Sequence, residues 1–206
     1  ILDRYQIDVP AAARQAMANA ESSPVTPDYG KHRIVASNAQ AMRAAAQKAR
    51  ELGFVPLILG DGLEGESREL GRIIAGIAKS VRTMGEPVRP PAMLLSGGES
   101  TVTIGPDGAG RGGRNTEFLL SLALELQGDP GTWALAADSD GIDGTEDAAG
   151  AFVSPDTIER ATASGLNPRE MLRTHDSYGA FLGIGDLLIT GPTLTNVNDV
   201  RIVLIV

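Results

Sequence analysis

Short unbroken apolar runs recur along this chain, each separated from the next by residues with helical spacing. HRIVAS, VPLILG, PAMLLS, TVTIG, WALAADS, DLLITGPT and RIVLIV are long enough for strands and too short for helices. A strand covered on both faces loses the in–out alternation of a half-exposed one and reads as a continuous apolar run. Between the runs, NAQAMRAAAQKARELG, LEGESRELGRIIAGIAKSVRTMG and NTEFLLSLALELQG place apolar residues three and four apart, with Leu70, Ile73, Ile74 and Ile77 expected on one buried face. TIERATASG and NPREMLRTH predict shorter helices. This alternation predicts an α/β fold, a three-layer α/β/α sandwich with a mixed, mostly buried sheet. The hairpin-like spacing of PAMLLS, SGGES and TVTIG is the reason to expect a mixed sheet.

The first residues read differently. Residues 1–29 form a predicted helical tail and linker from a preceding domain, with a short helix, an Ala-rich helical turn at Pro10–Ala20 and a Pro- and Gly-bearing stretch at Ser22–Gly30. Residues 30–206 form the predicted α/β domain. The chain opens on Ile1, which suggests a piece of a longer protein. With 42% hydrophobic but only 4% aromatic residues, its core must be built from Ala, Leu, Ile and Val.

Charge and cysteine content remove several function classes. Acidic residues exceed basic ones, 26 to 18, for a net charge of -8. Such a surface repels phosphate backbones, so nucleic acid is not an expected partner. No stretch is apolar enough to span a bilayer, and none is basic and amphipathic, so no membrane partner and a cytoplasmic location are expected. Cysteine is absent, which excludes thiolate metal sites and a cysteine nucleophile. The two histidines, His32 and His175, fall in predicted loops without triad or zinc spacing. None of Lys31, Lys48 and Lys79 follows a P-loop glycine run.

Four segments carry polar chemistry. In GPDGAGRGGRNTEFLL, Gly108, Gly110 and Gly113 satisfy a dinucleotide-type G-x-G-x-x-G, but Gly105, Pro106 and Asp107 separate them from the preceding strand. The same segment also reads as an anion site: Gly112 and Gly113 would let a ligand approach the backbone, Asn115 would open a helix whose free N–H groups attract anions, and Arg114 would add a donor fork. A plain helix cap by Asn115 explains it equally well. In WALAADSDGIDGTED, Asp138, Asp140 and Asp143 crowd the end of a strand, either as a Mg²⁺ site or as a solvated turn of Asp caps. DLLITGPTLTNVNDVRI offers Thr190, Thr193, Thr195, Asn196 and Asn198, either for a sugar acid or phosphate or for their own turn. SGGES sets Gly97, Gly98 and Glu99 in a tight turn, and Ser37–Asn38 begins a helix as a cap.

Taken in order, HRIVASNAQAMRAAAQKARELG, LLSGGESTVTI, GRGGRNTEFLL, DSDGIDGTEDAAGAF and LLITGPTLTNVNDVRIVLI resemble the type-2 glycerate kinases, whose C-terminal part is the MOFRL domain. The resemblance extends over nearly the whole chain, with Ser139 where many relatives carry Thr and Thr116 where Gln is usual. It implies two α/β domains around a cleft and transfer of phosphate from ATP to D-glycerate with Mg²⁺, giving 2-phosphoglycerate. It also implies that this chain is the C-terminal domain, with the N-terminal domain as its partner and a catalytic lysine and acidic segment missing, so that the chain alone is inactive. Arg114, within GGRN, is then the catalytic residue. Gly112, Gly113, Asn115, Ser37 and Asn38 would face phosphate or nucleotide, and the SGGES and TGPTLTN loops would face substrate. Relatives also labelled hydroxypyruvate reductase, and linked to tartrate degradation, leave an NAD(P)H-dependent reductase as the alternative. A non-catalytic partner domain is the third reading.

Overall fold

A computed structural model describes residues 4–19, 33–105 and 110–206. The expected linker at Ser22–Gly30, His32 and the first fingerprint glycine, Gly108, lie outside the described residues. The chain divides into two compact units, Ile1–Ile34 and Val35–Val206. In the first, residues 4–6 form a turn where a helix was predicted, and α1 spans Ala11–Ala18 with no buried residue.

The described residues of the second unit form one six-stranded mixed sheet in the order β1-β2-β6-β3-β4-β5. The strands are β1 (Val55–Gly60), β2 (Ala92–Gly98), β3 (Thr132–Asp138), β4 (Gly150–Val153), β5 (Leu187–Leu188) and β6 (Asp199–Ile205). Only β1 and β2 pair in parallel, and β6 lies antiparallel between β2 and β3. Insertion of β6 and the β3–β4 pairing therefore make the sheet mixed, not a hairpin at SGGES. TVTIG is no strand: Thr101 makes a single bridge to Glu66, and residues 102–105 are irregular. Residues 33–37 of HRIVAS form none either: Ile34 and Val35 are exposed, and no ladder forms there among the described residues. DLLITGPT shrinks to the two residues of β5, whereas GAFV, which the sequence reading passed over, becomes β4.

Helices cover the sheet on both sides. On one face α2 (Asn38–Glu51) sets Met42, Ala46 and Ala49 against Met93, Leu95 and the outer side chains of β6. It ends where Gly53 adopts φ +86°, a conformation glycine takes at little cost. On the other face α3 (Ser67–Met84) crosses α4 (Arg114–Leu126) above β2, β6 and β3. Leu70, Ile74, Ala78 and Val81 pack inward, but Ile73 is 60% exposed because it faces away from α4. Three short helices, α5 (Thr157–Ala163), α6 (Pro168–Arg173) and α7 (Ser177–Leu182), complete this layer. The fold is a three-layer α/β/α sandwich. Its α2 side leaves part of β3 and β4 uncovered, with Trp133 and Phe152 partly in solvent.

Candidate functional site

Register across the centre of the sheet gathers the polar residues. Gly98 at the end of β2 pairs with Asp199 at the start of β6, and Asp199 pairs with Asp138 at the end of β3. Two strand C-termini thus flank one strand N-terminus, the edge of an α/β sheet where ligands bind. An open cleft of about 520 Å³ lies here, lined among others by Ser100, Gly112, Gly113, Arg114, Asp138 and Asp140. A larger groove of about 1130 Å³ runs between α4, α5 and α6, where Glu159 and Arg169 are the only charged residues on its walls among the described residues.

Arg114 is the hub of the cleft. Asp138 and Asp199 occupy facing positions on adjacent strands, where like charges repel at close range. The Arg114 guanidinium bridges them, donating from Nη2 to Asp138 Oδ2 at 2.6 Å and from Nε to Asp199 Oδ1 at 3.2 Å. Its remaining nitrogen, Nη1, donates to Glu99 Oε1 at 2.7 Å. A cation in the first turn opposes the helix dipole, so Arg114 is tolerated there because carboxylates surround it. Burial alone would lower its pKa, yet Asp199, Asp138 and Glu99 outweigh burial and raise it. With its side chain 24% accessible, Arg114 is a permanent cation facing the cleft.

The mouth of α4 is not open to an external anion. Gly113, not Asn115, is the N-cap, and its N–H donates to Thr116 Oγ1. Asp143 supplies the negative charge the helix terminus attracts: Oδ1 accepts from Asn115 N at 2.9 Å and Asn115 Nδ2 at 3.2 Å, while Oδ2 accepts from Thr116 N and Oγ1, both at 2.9 Å. Burial raises the Asp143 pKa, and these four donors offset part of that rise. The glycines follow the same logic. A Cβ on Gly113 would lie 2.3 Å from Asp143 Cγ, and one on Gly112 2.3 Å from Ser177 Oγ. On their Cβ sides Gly112 and Gly113 are thus approached by the protein's own side chains, while both glycines line the cleft.

The expected Asp138–Asp140–Asp143 metal set is dispersed for a related reason. Asp143 has its lone pairs taken by α4, and Asp138 accepts from Arg114 and from Asp140 N. Asp140 accepts from Ile142 N and Asn196 Nδ2, as an Asx turn does. Among the described residues no group of three His, Asp or Glu side chains is placed to hold a metal ion. These residues do not fit a protein-built Mg²⁺ cage.

The two remaining loops are largely self-satisfied. Thr193 donates from N to Asp140 O and from Oγ1 to Ser139 O, and Thr190 Oγ1 donates to Gly191 O. Thr195 N donates to Thr193 Oγ1, and Asn198 N to Asn196 Oδ1. The segment from Thr190 to Asn198 thus braces the Asp138–Gly141 turn through bonds to Ser139 and Asp140. In SGGES, a Cβ on Gly97 would strike Asn38 and one on Gly98, at φ +119°, the Leu63 backbone; only Glu99 turns toward Arg114. Ser37 caps α2, accepting from Gln40 N, while Asn38 Nδ2 donates to the backbone oxygen of Asp199.

Arg201 and Ser100 stand outside the residues the sequence singles out, and Asp199 enters there only as the last member of the polar run from Thr193, not as a partner of Arg114. Arg201 is 1% exposed, and its Nη2 donates to Asp199 Oδ2 at 2.7 Å and Ser100 Oγ at 3.0 Å. The available signal was DVRIVLI, in which two charges sit on one face of an otherwise apolar run. A buried strand carries charges only where they are paired.

Comparison with known proteins adds the following. The MOFRL family model matches residues 92–199, spanning β2 to the first residue of β6. A protein of Agrobacterium vitis named "Putative hydroxypyruvate reductase" is 56% identical over the whole chain, which covers 47% of its length. The D-glycerate 2-kinase of Thermotoga maritima is 38% identical over the whole chain, covering 48% of its length. The crystal structure of the glycerate kinase from that organism superposes with a TM-score of 0.89 over the whole chain and 49% of its own. The chain thus spans about half the length of these relatives.

Proposed function

The chain belongs to the MOFRL family, and from that premise we propose that it is the C-terminal, anion-handling domain of a glycerate 2-kinase that moves the terminal phosphoryl group of ATP to D-glycerate. The observation that carries this reading is Arg114, held between two strand-end carboxylates with one nitrogen directed at an exposed one, Glu99. Phosphoryl transfer asks mainly for positioning and for neutralisation of charge on the transferring oxygens. An arginine already fixed on its far side and permanently charged supplies both. Its Nη1, the nitrogen whose partner is exposed, is the one that would meet a phosphate or carboxylate oxygen, and Glu99 stands where such an anion would enter.

Kinase relatives support ATP as co-substrate. No step is routed through Mg²⁺, because the described carboxylates are committed to internal donors. The chain covers about half of its relatives' length, so the remaining groups of the active site are assigned to the N-terminal domain, and residues 1–206 alone are expected to be inactive. The reductase alternative rests on the glycine pattern that ends at Gly113 and on the names of two Agrobacterium vitis relatives, 56% and 53% identical. It is disfavoured because no strand runs directly into the glycines: residues 102–105 are irregular, whereas the dinucleotide fingerprint needs its first glycine directly after a strand.

The test is a coupled assay on the protein at its relatives' length, with ATP, Mg²⁺ and D-glycerate in one arm and hydroxypyruvate with NAD(P)H in the other. ATP-dependent 2-phosphoglycerate is expected in the first arm only, with none from residues 1–206. Arg114→Ala should lower kcat by about a hundredfold or more, the scale for removing a donor to developing negative charge. NAD(P)H oxidation without phosphoryl transfer would overturn the kinase reading. Full turnover in Arg114→Ala would remove Arg114 from the mechanism.

A further inference from the structure

We propose that Asp199 and Arg201 are positioning residues for Arg114: a buried couple on β6 that sets the plane of the Arg114 guanidinium without either residue touching substrate. The proposal rests on the assignment of Arg114 to the transferring phosphate. Its starting observation is the cost of Arg201. Its guanidinium is fully buried, and burial lowers its pKa. Its Nε and Nη1 find no hydrogen-bond partner among the described residues. A charge in that state is weak evidence for stability, because apolar residues of similar volume commonly serve a fold as well or better. What Arg201 does supply is geometry.

Arg201 is held on several sides. Its Nη2 reaches both Asp199 and Ser100, Ser100 Oγ accepts in turn from Ser67 Oγ of α3 at 2.9 Å, and the guanidinium lies 5.5 Å from the centre of the Phe118 ring of α4. So fastened, it engages one oxygen of Asp199, Oδ2, and fixes the carboxylate plane. The other oxygen, Oδ1, accepts from Asn115 Nδ2 at 2.8 Å and from Arg114 Nε at 3.2 Å. A carboxylate pinned by a buried arginine and a buried asparagine cannot swing to follow Arg114, so Arg114 must follow it. Asp138 fixes the second edge from Nη2. Only Nη1 is left to an exposed partner, Glu99, which an incoming anion can displace.

The experiment is a double-mutant cycle in the protein at its relatives' length, with thermal melting of each variant as the folding control. Asp199→Asn keeps the shape of the side chain and removes the charge that orients Arg114. It should lower kcat about tenfold, within the range measured for coupled neighbours, while KM for ATP and D-glycerate stays within about twofold. In an Arg114→Ala background the same substitution should change kcat less than about twofold, because nothing remains to be positioned. Arg201→Lys, which keeps a cation against Oδ2, should retain more kcat than Arg201→Met. If Arg201→Met does not fold, Asp199→Asn and Arg201→Lys carry the test. Multiplicative losses in the double variant, or unchanged kcat in Asp199→Asn while Arg114→Ala is impaired, overturn the positioning role alone. Unimpaired Arg114→Ala overturns both this proposal and the reading beneath it.

Discussion

Asp143 illustrates how one side chain settles a question that spacing leaves open. The first turn of α4 has N–H groups without helical partners, and an anion is favoured beside them. The protein supplies that anion from its own Asp138–Gly150 connection, so the helix mouth is satisfied before any ligand arrives. Asp143→Asn would replace one acceptor oxygen with an NH₂ group facing donors. We expect a loss of about 2–3 kcal/mol, the cost of leaving buried donors unpaired, read as a lower midpoint in urea unfolding. Arg114, in that same first turn of α4, behaves oppositely: its local position is unfavourable and only tertiary partners justify it.

At the scale of elements, the crossing of α3 and α4 decides how close the upper layer sits to the sheet. Gly71 lies at the crossing, where a Cβ would come within 2.5 Å of the Phe118 carbonyl oxygen. Gly76, five residues on in the same helix, has nothing within 4 Å of its Cβ position. The pair separates helix propensity from packing. Gly76→Ala should stabilise the protein by about 0.5–1 kcal/mol, the ordinary gain of Ala over Gly in a helix. Gly71→Ala should instead cost about 1–3 kcal/mol, because overpacking exceeds that gain. Melting curves of the two variants against the parent check both signs. Sequence periodicity located α2 and α3 well, since each buries one stripe, and it also found α4, which is buried on all sides from Asn115 to Ala123. It misplaced Ile73, which lies on the flank of the stripe, and extended TVTIG and HRIVAS into strands because apolar content alone does not provide a neighbour to pair with.

Across the whole molecule, charge and pH act through a few carboxyl groups, two of them buried. Burial raises the carboxyl pKa values of Asp143 and Asp199. A carboxyl with a raised folded-state pKa contributes stability that is complete below its unfolded value of 3.8 and is lost as pH rises through the folded value. Glu66, lowered by its hydrogen bonds from Thr103, works in the opposite direction: its contribution is present above the unfolded value of 4.5 and is lost as pH falls through the folded one. The stability of the parent relative to Asp199→Asn should therefore decline as pH rises above 3.8, measured by urea unfolding at a series of pH values. A flat difference across that range would show that Asp199 titrates as it does in the unfolded chain.

The sequence by itself determined the layers. Continuous apolar runs and amphipathic stretches are local patterns, and burying them leaves an α/β sandwich with an aliphatic core as the economical solution. It also singled out Arg114, Asp138 and Glu99, because charges beside glycine turns at strand ends stand out against that apolar background. What only the tertiary structure decided was which partner each polar group takes. Strand order brought Asp199 of β6 between Gly98 and Asp138, loop geometry carried Asp143 to α4, and the placement of α7 brought Ser177 to Gly112. Hydrogen bonds and ion pairs require contact within about 3 Å. Contacts that link residues tens of positions apart in the chain leave no periodic trace along it.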